Sequence, residues 1–184
     1  MIKTITTLLL VFFSFTNSFS QTTLEKQQKN DCPPDKPRAL RGICNHVIKP
    51  ELFDNELSYV THFKKAAGVT PEDSEEEMYR KIREVWNKYE DCLICDTMAF
   101  EIRGGSILKA ASISANKIFY NTILKWGVNL NRIDTVDGRT VLDYFRDEMA
   151  KNPPNIEFYR AYYNVLKEHG AKHAAEILAE KQLK

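Results

Sequence analysis

The chain has 184 residues, with 26 basic against 25 acidic side chains and a formal net charge of +1. A balance this even excludes a protein built to neutralise phosphates or to lie on an anionic membrane, because either needs a basic face. The length and the 43% hydrophobic content suit one domain with a real core.

The N-terminus reads as an export signal. Met1-Ile2-Lys3 supplies a basic start, Ile5 to Phe15 an apolar run, and Asn17-Ser18-Phe19-Ser20-Gln21 a small-x-small cleavage site. These are the three parts of a secretory signal peptide, so residues 1–20 are expected to be removed after Ser20. The apolar run is shorter than the ~20 residues a bilayer span requires. A buried N-terminal helix or strand is the competing reading, but the polar stretch Gln21 to Asn30 follows at once. No cysteine stands at the cleavage site, so neither a lipid anchor nor membrane insertion is expected after cleavage. Lys3 is the only charged residue removed, which leaves equal numbers of acids and bases.

Residues 21–54 read as an extended leader, with Pro33, Pro34 and Pro37 blocking helix and central strand. Residues 55–103 read as an N-terminal helical cap. Its first helix runs from Asn55 to Ala67, with Asn55 as N-cap, Leu57, Val60 and Phe63 on one face, and Gly68 as terminator. A stronger helix follows Thr70-Pro71. Ser74 suits its N-cap, and Glu75, Glu76 and Glu77 suit the positive end of the helix dipole. Met78, Ile82, Val85, Trp86 and Tyr89 form its apolar stripe. Beyond it, Phe100 and Ile102 fit a short extended arm that Gly104-Gly105 ends.

Four cysteines, Cys32, Cys44, Cys92 and Cys95, remain after signal removal, and an even number in an exported chain favours disulfides. Short separation favours Cys32–Cys44 and Cys92–Cys95. Cys92-Leu93-Ile94-Cys95 also permits a thioredoxin-like redox pair, although the sequence offers no strand–helix setting for one. All four together would match the ligand number of a tetrahedral zinc site.

From Ser106 onward the chain reads as helical pairs, and one unit occurs twice. Gly104-Gly-Ser-Ile-Leu-Lys-Ala-Ala-Ser112 is followed by Ile118-Phe-Tyr-Asn-Thr-Ile-Leu-Lys-Trp-Gly127. Gly138-Arg-Thr-Val-Leu-Asp-Tyr-Phe-Arg146 is followed by Phe158 and by Tyr162-Tyr-Asn-Val-Leu-Lys-Glu-His-Gly170. Ser106 and Thr140 lie 34 residues apart. Gly127 and Gly170 suit left-handed helix ends, Asp137-Gly138 a tight turn, and Thr140 a helix cap. Leu108, Leu142, Ile123, Leu124 and Trp126 are expected in the seam between the helices.

This pattern resembles the ankyrin repeat, a β-turn finger followed by two antiparallel helices with a 33-residue period. The best match is Trp126-Gly-Val-Asn-Leu-Asn-Arg-Ile-Asp-Thr-Val-Asp-Gly-Arg-Thr-Val-Leu-Asp143. The sequence departs from the family in three ways: an extra residue near Val136, Val141 and Asp143 in place of its Pro and His, and an insert from about Met149 to Ile156. The resemblance covers residues 104–184. It implies a mainly α fold, a short stack of ankyrin-type helical hairpins whose N-terminal helical cap is stabilised by disulfides. It also implies a contact surface made of finger tips and first helices. By position these are Arg132, Asp134, Thr135, Val136, Asp137 and Arg139 on the finger, with Lys109, Ile113, Ser114, Asp147 and Glu148 on the helices.

Signatures of chemistry are sparse. No Gly-rich phosphate loop, nucleophile elbow or His-Glu-x-x-His run is present. His169 and His173 are four apart, but Gly170 between them separates their segments. His46 and His62 have no partner in sequence, and Asp143 with Asp147 reads as ordinary surface acids. The expectation is a binding module and not an enzyme, without metal or cofactor, exported to the periplasm or beyond. Its partner would be another protein, and an immunity or inhibitor role against an envelope-acting toxin suits small exported ankyrin-type proteins. A thiol-active envelope protein using Cys92 and Cys95 is the alternative.

Overall fold

The computed structural model describes residues 35, 37–40, 42–49, 58–97 and 102–183. The proposed signal peptide, Cys32, Asn55, Leu57 and Phe100 lie outside these residues. The described chain is mainly helical, with eight α-helices and one two-stranded antiparallel sheet. No helix among the described residues is long and apolar enough to cross a membrane.

The segment read as an extended leader is structured in its second half. Arg38–Leu40 forms a 3-10 turn and Ile43–Ile48 forms α1. Ile43, Val47 and Ile48 recur on one helical face and are buried, which rewards helix over extension. The prolines therefore do not keep the chain extended through Arg38–Leu40 and Ile43–Ile48.

Helix α2, Ser58–Ala66, buries Tyr59 and Phe63, while Val60 is only partly covered. The buried face is thus set by Tyr59 and Phe63, one turn apart, and not by a stripe running through Val60. Gly68 ends the helix as expected, at φ +62°, with its N–H donating to the Lys65 carbonyl. Helix α3, Glu75–Tyr89, begins on Ser74, whose hydroxyl accepts the Glu77 N–H at 3.2 Å. Its buried residues are Ile82, Trp86 and Tyr89, with Met78 and Val85 packed at the margin.

Strand β1, Ile94–Thr97, pairs with β2, Ile102–Ser106, with Cys95 opposite Gly105. The glycine pair does not end the extended arm; the strand continues through it to Ser106. Cys95 is fully buried and Gly105 lies directly across the ladder from it.

Two similar helix pairs follow. Ser106 caps α4, Ile107–Ile113, by accepting the Lys109 N–H, and Thr140 caps α6, Val141–Ala150, by accepting that of Asp143. Helix α5, Lys117–Trp126, closes on Gly127 at φ +65°, and α7, Ile156–Glu168, on Gly170 at φ +86°. The Pro-Pro insert lengthens the second pair, since α6 runs to Ala150 and Asn152 adopts φ +51° in the turn. Helix α8, Ala174–Gln182, follows.

Aromatic rings tie these helices together. Phe63 of α2 stacks on Trp86 of α3 at 5.5 Å and meets Trp126 of α5 edge-on at 5.3 Å. In the second half Tyr120 contacts Phe145 and Phe158 at 5.5 and 5.7 Å, and Phe145 meets Tyr159 at 5.0 Å. The Tyr120 hydroxyl donates to the Leu108 carbonyl at 2.6 Å, so a buried polar tip is satisfied inside an apolar cluster. Leu108, Leu142, Ile123 and Trp126 are buried as expected; Leu124 is only half-buried.

The disulfide pairing differs from the short-range expectation. Cys44 of α1 is bonded to Cys95 of β1, with Cα atoms 5.4 Å apart and a sequence separation of 51. Cys92 is also disulfide-bonded, so Cys92 and Cys95 do not pair with each other. Sequence proximity favours closure in the unfolded chain, but the hairpin brings Cys95 beneath α1, where its bond fixes a long-range contact.

Candidate functional site

The segment from Asn129 to Arg139 is a finger between the two helix pairs. Its tip is a turn in which the Gly138 N–H donates to the Asp134 carbonyl at 2.8 Å and Asp134 N–H to that of Arg139 at 3.0 Å. Gly138 supplies the left-handed conformation, φ +69°, that this turn requires.

The finger's base is pinned by buried charge. Lys109 of α4 is 4% exposed, and its ammonium lies 2.6 Å from Asp134 and 2.7 Å from Asp137. Asp134 is 1% exposed and also accepts the Ser106 N–H at 3.2 Å, which couples the finger to the end of β2. Arg132 hydrogen-bonds Asp91 at 3.1 Å, and little of its side chain is exposed. Burial pushes the Asp137 carboxyl up, but hydrogen bonds from Lys109 and from the Arg139 backbone and side chain outweigh it, so the net shift is downward. The desolvation of a buried ion pair offsets much of its attraction, so its presence is weak evidence of added stability.

These positions revise the expected contact surface. Lys109 and Asp134 lie in the interior, and Arg132 is mostly enclosed; all three hold the finger instead of presenting it. Ile113 and Ser114 are half-buried, and the Ser114 hydroxyl donates to the Val47 carbonyl of α1 at 3.2 Å. Asn116 donates to the same carbonyl at 2.9 Å. Helix α1 therefore sits against the end of α4 that was expected to be open, a contact that no sequence motif marked. The exposed set is narrower: Thr135, Val136 and Asp137 at the tip, with Arg139, Asp147 and Glu148 partly exposed beside them. Val136 is 49% exposed.

Arg139 organises this outer cluster. Its guanidinium bonds Asp137 at 2.8 Å and Asp147 at 3.1 Å and lies over the Tyr144 ring at 5.6 Å. Arg146 adds a second bond to Asp147 at 2.8 Å. Asp147 is thus neutralised by two arginines and is poorly placed to act as a general base.

Asp143 has a different task. Its carboxylate accepts the Thr140 N–H at 3.1 Å, the Ala174 N–H at 2.9 Å and a hydrogen bond with His173 Nδ1 at 2.8 Å. His173 Nε2 in turn meets the Tyr163 hydroxyl at 3.0 Å. One carboxylate therefore caps both α6 and the start of α8. Burial pushes it up, yet the bonds from Ala174, Thr140 and His173 prevail and hold it at about 2. A carboxyl depressed in the folded state stabilises above its unfolded pKa, near 4, and loses that contribution as pH falls through about 2. Urea midpoints should therefore drop between pH 4 and 2 more steeply in the native chain than in Asp143→Asn. Parallel slopes would mean that the carboxylate is not specially held.

His169 and His173 fall on different segments, at the end of α7 and before α8. Among the described residues no three His, Cys, Asp or Glu side chains form a group that could hold a metal. An open groove of about 410 Å³ between α3 and α5 is lined by Glu75, Glu76, Tyr79, Arg83 and Lys125, of both charge signs. Compared with known proteins, the chain matches no family model, no curated protein and no solved structure.

Proposed function

We propose that this chain is a protein-binding module of ankyrin type, exported through its N-terminal signal peptide, whose contact surface is the finger tip with the adjoining face of α6. The observation that carries this reading is Val136, half exposed at the tip of a turn whose base is locked by the buried Lys109–Asp134 pair. The finger is a loop on a rigid scaffold, and such loops are where binding residues collect.

The stack itself supports the family reading. Helices α1, α4 and α6 lie in successive contact, as first helices of ankyrin units would. Helices α3 and α5 do likewise, and Tyr162 of α7 reaches the Lys117 carbonyl of α5 at 3.2 Å, as second helices would. The β1–β2 hairpin then takes the place of the first finger, and α1 to α3 form the N-terminal cap. The partner is another protein outside the cytoplasm, and an immunity or inhibitor role against an envelope-acting toxin is the form this function takes in our reading.

The test is affinity for the partner captured from the native envelope, measured with purified components. Val136→Asp with Thr135→Lys, both exposed at the tip, should weaken binding by about 2 kcal/mol or more, the threshold of a hot spot, with an unchanged melting temperature. Equal affinity in the double variant would remove the finger from the interface.

A further inference from the structure

His46 and His62 are far apart in sequence, and the fold brings them together. Their imidazole rings, from α1 and α2, lie 4.5 Å apart between centroids and are tilted by 55°. Each ring is anchored through Nδ1. That of His62 donates to the Ala39 carbonyl at 2.6 Å, since a carbonyl can only accept. That of His46 lies 2.8 Å from the Ser58 hydroxyl. The His62 tautomer is thereby fixed, and a proton taken up in acid goes to its Nε2. Both residues are half-buried, so water only partly solvates a charge placed on them.

The surroundings do little to welcome that charge. The rings sit where α1, α2 and the Arg38–Leu40 turn meet. The charged side chains on those elements and on the residue after α1 are Arg38, Lys49, Lys64 and Lys65, all basic. Helices α3 and α5 meet α2 through rings, Trp86 on Phe63 at 5.5 Å and Phe119 on Tyr59 at 5.2 Å. Helix α4 meets α1 through the neutral side chains of Ser114 and Asn116. Glu51, Asp54 and Glu56 join α1 to α2 in sequence and lie outside the described residues. Burial, and then the neighbouring His62 ring, hold the His46 imidazole below its ordinary value. The unfolded chain therefore accepts a proton that the folded chain resists. Stability is lost as the pH falls through the ordinary histidine value, about 6.5.

We propose that the His46–His62 pair is an acid-sensitive latch that holds α1 closed over the end of α4. At neutral pH the uncharged rings pack together and join α1 to α2. As the pH falls, like charges 4.5 Å apart repel, and the end of α1 lifts. That end carries the Val47 carbonyl, which accepts Ser114 Oγ at 3.2 Å and Asn116 Nδ2 at 2.9 Å. The Cys44–Cys95 bond keeps α1 tied to β1, so the motion is a reversible hinge and not a detachment. It uncovers Ser114 and Asn116, between α4 and α5. The latch concerns α1 alone and stands whether or not the finger is the contact surface.

Amide exchange on the full folded chain, corrected for the intrinsic effect of pH, tests this between about pH 7.5 and 5.5. Amides at the end of α1 should open at least about threefold more often at the lower pH, and those of α6 should not follow. The variant His46→Gln/His62→Gln keeps an amide donor for the Ala39 carbonyl and removes both charges. It should show no such change, and a circular dichroism melt at neutral pH verifies that it folds. Proton NMR of the assigned His46 and His62 rings in the native chain does not depend on that variant. The pair should titrate in two separated steps, as interacting groups do. Equal exchange at both pH values, the same acceleration in the double variant, or a single titration step overturns the proposal. Slower exchange in acid also overturns it, in favour of a carboxylate such as Glu51, Asp54 or Glu56 paired with the rings.

Discussion

Replacing Lys109 by methionine is expected to cost about 3–5 kcal/mol, because it leaves the buried Asp134 carboxylate with only the Arg132 guanidinium, 3.7 Å away, as its cation. The ammonium sits 2.6 Å from Asp134 and 2.7 Å from Asp137, and the lysine is 4% exposed. Methionine keeps the stem's packing, so the loss reports charge and not volume. Adding Asp134→Leu to Lys109→Met should recover much of the loss, since a buried ion pair replaced by apolar groups is often neutral. Urea unfolding of the two variants measures this directly. A single variant that loses less than about 1 kcal/mol would mean that the finger's base is open to water. The doubly substituted chain should regain stability while its finger loosens, because Asp134 also receives Ser106 N–H.

The Cys44→Ala/Cys95→Ala variant is expected to lose about 4 kcal/mol, the chain-entropy value for a loop of this length. The bond closes a sequence separation of 51 and holds α1 against the hairpin. Without it, α1 is held by its buried Ile43, Val47 and Ile48 and by hydrogen bonds such as those of the Val47 carbonyl with Ser114 and Asn116. Amide exchange should then accelerate in α1 before it does in α6 or α7. Peptide mapping without reduction should recover Cys44 linked to Cys95. A peptide in which Cys92 and Cys95 are bonded to each other would contradict the fold described here.

Much of the helical half was legible from local chemistry. Ser74 and Thr140 cap where their side chains and the following acids indicate, and Gly68, Gly127 and Gly170 end their helices in the left-handed region. These signals need only neighbouring residues, so sequence carries them in full. The site was less legible because its decisive feature is long-range. Nothing local distinguishes Lys109, buried against a finger 25 residues away, from a solvated lysine on an amphipathic helix. Helix α1 was hidden for a similar reason: six residues after a proline-rich stretch show little periodicity until Ile43, Val47 and Ile48 find α4. The Cys44–Cys95 pairing depends on the same contact, which the preference for short loops argues against.

The finger also explains why the surface carried over by position from the ankyrin resemblance was too broad. Six finger residues and five helix residues were expected to face a partner, yet the acids and bases among them chiefly satisfy one another. Arg139 bonds Asp137 and Asp147, and Lys109 bonds Asp134 and Asp137. What stays exposed beside these pairs is the apolar tip at Val136, with parts of Arg139 and Glu148.

The most direct test of the central claim is amide hydrogen exchange on the protein with and without the partner captured from the native envelope. Protection should concentrate in residues 134–148, the finger tip and the outer face of α6, with α3 and α5 unchanged. Protection confined to α3 and α5, with the finger exchanging at its free rate, would contradict the assignment of the finger as the contact surface.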